Sequence, residues 1–141
     1  MGKRSSETNK IATFLESRRF TKKLKEDQKT FKILSEGDLQ SCVYYHIRTY
    51  LQKFPDWHLT NKLGMGKKED SKKFPDLAIV HMKGKGKIVS PVFLIELKED
   101  FKVFKTTRIK HDIKKLDKLA KKYENDVYQS YFIYSTVYKN N

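Results

Sequence analysis

Cysteine, proline and glycine are scarce in this chain, and it has no apolar run long enough to span a bilayer. Of 141 residues one is cysteine, Cys42, which excludes an internal disulfide and a cysteine-built zinc site. A single thiol fits a reducing intracellular setting, and no signal peptide is visible. There is no internal repeat, no Gly-rich phosphate-binding motif and no His-x-x-x-His pair. No membrane partner and no small-molecule cofactor are therefore expected.

Positive charge is abundant. Lys and Arg number 31 against 17 Asp and Glu, a net charge of +14. That excess favours a polyanionic partner, most often nucleic acid; the bland alternative is a Lys-rich solvated surface. The chain is 38% hydrophobic and 13% aromatic, enough for one folded domain. A chain of this length buries about two-thirds of the surface exposed by its unfolded form.

The clearest pattern runs from Phe74 to Lys98. Phe-Pro-Asp-Leu-Ala-Ile-Val-His-Met precedes a Gly-Lys-Gly-Lys break, and Ile-Val-Ser-Pro-Val-Phe-Leu-Ile-Glu-Leu-Lys follows. Two apolar runs around a flexible tip read as a β-hairpin. Side chains alternate along a strand, so Glu96 and Lys98 share a face. The register that sets Asp76 opposite Glu96 also sets Met82 opposite Ser90, with Gly84 to Ile88 as the tip. A one-residue slip turns Asp76 to the other face. Pro91 has no N–H for the ladder and can shift the register locally. In the favourable register the opposed Cβ atoms lie about 4.5–5.5 Å apart. Both carboxylates could then touch one divalent cation, with Lys98 beside it.

Pro75-Asp76, a gap of 19 residues and Glu96-Leu97-Lys98 resemble the signature of the PD-(D/E)xK nuclease superfamily, the restriction-endonuclease-like fold. A second Pro-Asp, Pro55-Asp56, lies 40 positions before Glu96, too far for the neighbouring arm of one hairpin. The resemblance implies a divalent-metal-dependent endonuclease that hydrolyses DNA phosphodiester bonds. Magnesium or manganese is the implied cofactor, with Asp76 and Glu96 as direct ligands and the Leu97 carbonyl as a third. Hard cations prefer such oxygen donors and keep several waters. Lys98 belongs to the catalytic signature. Its safer role is electrostatic: holding hydroxide and countering transition-state charge.

Residues 1–33 read as a basic N-terminal extension, helical or partly mobile. Ile11, Phe14 and Leu15 make one apolar patch; Phe20, Leu24 and Phe31 make another. Such an arm could lie on the domain, on DNA or on a second subunit. The resemblance implies that residues 34–141 form a nuclease-like domain. Ser35 and Asp38 make a capping-box variant, and a helix follows to about Phe54. Its stripe is Leu39, Val43, Ile47, Tyr50, Leu51 and Phe54, with His46 beside it as a packing residue. Glu36 projects within that stripe, aimed towards the sheet. Many members of the resembled superfamily carry a glutamate at this helix entry, and the resemblance assigns Glu36 to the metal site, through water or on a second ion.

Pro55 stops the helix, and Trp57, Leu59, Asn61 and Leu63 alternate as a first strand. The loop from Gly64 to Lys73 offers Lys67, Lys68, Lys72 and Lys73 to phosphates, or simply to solvent. After the hairpin a second helix has Ile109, Ile113, Leu116, Ala120 and Tyr123 as its buried stripe. Arg108, Lys110 and Lys114 belong to its basic face, a candidate phosphate track. Val127 to Tyr138 reads as an interior strand, apolar on both faces. The order of helix, three strands, helix, strand predicts an α/β fold, a mixed central sheet flanked by helices. It is also the αβββαβ core order of the superfamily, so the resemblance covers about residues 34 to 138.

DNA is the expected partner, with a homodimer possible if the enzyme is structure-selective, as junction resolvases are. A virus- or mobile-element-encoded endonuclease fits equally well. The rival readings are a catalytically inert DNA-binding module and an interaction subunit on the same fold.

Overall fold

Capping signals fix where the first helices begin. In the computed structural model, which describes residues 6–30, 32–61, 75–82, 88–100, 106–122 and 127–136, the chain opens with α1 (Ser6–Leu15) and α2 (Arg18–Lys29). Ser17 separates them. Its backbone is extended and its hydroxyl accepts the Phe20 amide hydrogen at 3.2 Å, an N-cap that starts α2. The lead-in is thus helical, in two pieces. Ile11, Ala12, Phe14, Leu15 and Phe20 are buried in the same cluster as the next helix and the sheet. Phe14 stacks on Tyr50 with ring centroids 4.0 Å apart. Arg18, Arg19, Lys22 and Lys25 remain exposed.

The third helix, α3 (Glu36–Leu51), begins at the expected cap. Ser35 Oγ accepts the Asp38 amide hydrogen at 3.1 Å, and Asp38 Oδ2 accepts that of Leu34 at 2.9 Å. Leu39, Val43, Ile47 and Leu51 are buried, one face of the helix. The helix closes at Leu51, three residues before the expected end. The residue before a proline is driven out of the helical region, and Phe54, just before Pro55, turns back into the core instead. His46 is packed as expected, with an added partner: its Nε2 lies 2.7 Å from Asp27 Oδ2, tying α3 to α2.

The sheet has four strands in the order β1-β2-β3-β4: β1 (Trp57–Asn61), β2 (Leu77–Met82), β3 (Ile88–Asp100) and β4 (Gln129–Thr136). The first three are antiparallel; β4 returns parallel to β3 after α4 (Thr106–Lys122). A parallel return needs a crossover, and α4 supplies it. The fold is therefore mixed α/β, a four-stranded mixed sheet flanked by helices. No described helix is long and apolar enough to cross a membrane.

Alternation along the strands divides the core in two. Trp57, Leu77, Ile79, Phe93, Ile95 and Leu97 pack with the α1–α3 layer. Ala78 and Leu94 face the other way, with Leu116 of α4, Val127 and Phe132.

Three expectations need correction. β4 is an edge strand of the described sheet, not an interior one. Its apolar residues are explained by helices on both faces: Tyr131 packs with the first cluster and Phe132 with the second. Ile113 is 40% exposed, whereas Leu116, on the same predicted stripe, is buried. Towards the hairpin tip, Met82 pairs with Ile88 rather than Ser90. The register shifts between Ile79 and Val80, just where Pro91 enters the ladder without an N–H to donate, and again between His81 and Met82.

Candidate catalytic site

The open end of the hairpin escapes those shifts. Leu77 pairs with Ile95, Ala78 with Leu94 and Ile79 with Phe93. Asp76 is the residue just before β2, one step outside the paired register. Pro75 is fully buried and anchors the entry to β2. Asp76 is half-buried, and its Oδ2 accepts the Leu97 amide hydrogen at 2.8 Å. A carboxylate accepting a backbone N–H is a strong, directed contact; here it takes up a ladder amide just beyond the start of β2.

Glu96 follows from alternation on β3. Phe93, Ile95 and Leu97 enter the α1–α3 core, so Leu94 and Glu96 point to α4. Glu96 is only 8% exposed. A buried carboxylate is costly unless a charge or hydrogen bonds compensate it. Lys115 of α4 provides a charge, its Nζ 3.8 Å from Glu96 Oε1. Lys98, two residues on and half-buried, lies on the same side of β3.

The Leu97 backbone belongs to this cluster too. A strand residue's carbonyl lies on the same edge as its amide, and that amide reaches Asp76. Asp76, Glu96 and the Leu97 carbonyl are the hard-oxygen groups at this end of the hairpin, the donor type that magnesium or manganese prefers.

Glu36 is not gathered into this group. It occupies the first turn of α3 and is exposed, while the stripe that faces the sheet begins at Leu39. The helical wheel gives direction but not depth, and the first turn does not take Glu36 into the core. Among the described residues no three of His, Cys, Asp and Glu form a metal-holding group. Of the expected phosphate contacts, Lys110 and Lys114 are exposed on α4, and Arg108 lies in its first turn. Lys67, Lys68, Lys72 and Lys73 lie outside the described residues.

Sequence reasoning did not single out Lys115, which the structure pairs with Glu96. The available signal was its position next to Leu116, the buried anchor of that helix. Cys42 can be set aside as a nucleophile. Burial, and then the Asp27 carboxylate beside it, push its thiol up to about 11, so it is protonated at neutral pH. Compared with protein-family models, curated proteins and solved structures, the chain matches none.

Proposed function

We propose that this chain is a divalent-metal-dependent nuclease acting on DNA, built on the restriction-endonuclease-like αβββαβ plan. The observation that supports the reading is the contact of Asp76 with β3, its Oδ2 accepting at 2.8 Å the amide hydrogen of Leu97, the residue between Glu96 and Lys98. The element order α3, three strands, α4 and a parallel β4 supports it, as does the net charge of +14.

Each residue's part follows from its position. Asp76, Glu96 and the Leu97 carbonyl would hold the cation. A bound divalent ion would supply Lewis-acid stabilisation of the scissile phosphate and acidify a water. Lys98 presents positive charge where the attacking oxygen and the phosphorane oxygens gain negative charge, stabilisation that strengthens towards the transition state. Lys110 and Lys114, exposed on α4, would hold the DNA backbone without reading sequence.

The test is cleavage of linear, nicked, single-stranded and branched DNA by the purified chain in Mg²⁺ or Mn²⁺. Metal-dependent product is expected from at least one substrate. A folded protein that cuts none of them counts against the enzyme. One observation favours a second reading: the Asp76 carboxylate already accepts the Leu97 amide hydrogen, and among the described residues no group of three His, Cys, Asp or Glu gathers to hold a metal. A catalytically inert DNA-binding module would bind without metal, with a steep salt dependence and no product.

A further inference from the structure

Glu96 meets a cation already present in the fold. Resting on the nuclease reading above, we infer that Lys115 is the built-in counter-ion of the metal seat. It neutralises Glu96 in the metal-free protein and yields that carboxylate when a divalent cation arrives.

The pair is suited to exchange rather than to permanent closure. At 3.8 Å the Lys115 ammonium is beyond direct hydrogen-bond range of Glu96 Oε1, so the contact is an ion pair without a short directed bond. Glu96 is 8% exposed and cannot turn to solvent for compensation. The Lys115 side chain is 31% exposed. A four-carbon stem lets its head group move outwards while the helix stays in place.

Charge explains why one cation must leave. A divalent ion approaching Glu96 is repelled by the Lys115 ammonium, 3.8 Å from that carboxylate. Withdrawal of Lys115 removes that repulsion. The wild-type site should therefore bind metal more weakly than its two carboxylates allow, and removal of Lys115 should tighten it.

The experiment is titration of Mn²⁺ and Mg²⁺ into the full chain, read by calorimetry and by the electron paramagnetic resonance of free Mn²⁺. Wild type, Lys115→Met and Glu96→Gln are compared, with circular dichroism as the check on folding. Loss of one like charge about 4 Å from the ligand should tighten Mn²⁺ binding in Lys115→Met on the order of tenfold or more, and Glu96→Gln should abolish it. If Lys115→Met binds no tighter than wild type while Glu96→Gln loses binding, the counter-ion role is overturned and the metal seat survives. If neither wild type nor folded Lys115→Met binds at millimolar metal, the seat itself is overturned and this inference goes with it. Should Lys115→Met fail to fold, Lys115→Arg keeps the charge and must bind no tighter than wild type; tighter binding there overturns the inference.

Discussion

Strand β3 presents Phe93, Ile95 and Leu97 to the α1–α3 layer, and Leu94 and Glu96 to α4. The first face is apolar and closed by three helices, including the two-helix lead-in. The second is apolar at Ala78, Leu94 and Leu116 and then turns ionic where Glu96 meets Lys115. One strand thus serves two purposes because its side chains alternate. The face that supplies most of the described core leaves the opposite face able to carry charge at the strand's far end. A buried carboxylate is tolerated there because a helix brings it a lysine.

The contrast can be broken by exchanging what each face contributes. The largest effect is expected on the apolar side. Phe93 is fully buried, and Phe93→Ala should cost about 3–5 kcal/mol in a denaturant melt. A loss below about 1 kcal/mol would mean that the α1–α3 layer is not the main source of stability. On the charged side, Lys98→Ala should lower DNA cleavage by about 10²–10³-fold, with DNA binding in a gel-shift assay nearly intact. Equal loss of both would move Lys98 from chemistry to binding.

Smaller effects sharpen the same comparison. Ser35→Ala removes the acceptor for the Asp38 amide and should cost about 1 kcal/mol, with metal binding at Asp76 and Glu96 unchanged. A change in metal affinity would tie the α3 entry, and Glu36 with it, to the site. Ile113→Gln should alter stability by no more than about 0.5 kcal/mol, since the residue is 40% exposed. A cost of several times that would show α4 packed as tightly as α3.

Much of this arrangement was legible in residue order. Ser35 and Asp38 announced the start of α3, and the spacing of Leu39, Val43, Ile47 and Leu51 announced its buried face, because capping and helical periodicity act over one or two turns. The two hairpin strands were equally plain, and so was the possibility that Pro91 would disturb their register. Ile113 and Glu36 were harder. Each lies at a suitable angle on its helix, but burial depends on how far the partner surface extends, and a wheel carries no such length. The edge position of β4 was hidden for a related reason: apolar faces report covering helices and say nothing of neighbouring strands.

Periodic and capping signals, which are local, were enough to specify α3, α4, the hairpin arms and the shared face of Glu96 and Lys98, but left residues 1–33 open between helix and mobile arm. The contact of Asp76 with β3 and the meeting of Glu96 with Lys115 required the folded sheet. Asp76 meets the Leu97 amide 21 positions on and Glu96 meets Lys115 of a later helix, and the electrostatics of a buried carboxylate depend on which of the many lysines arrives beside it.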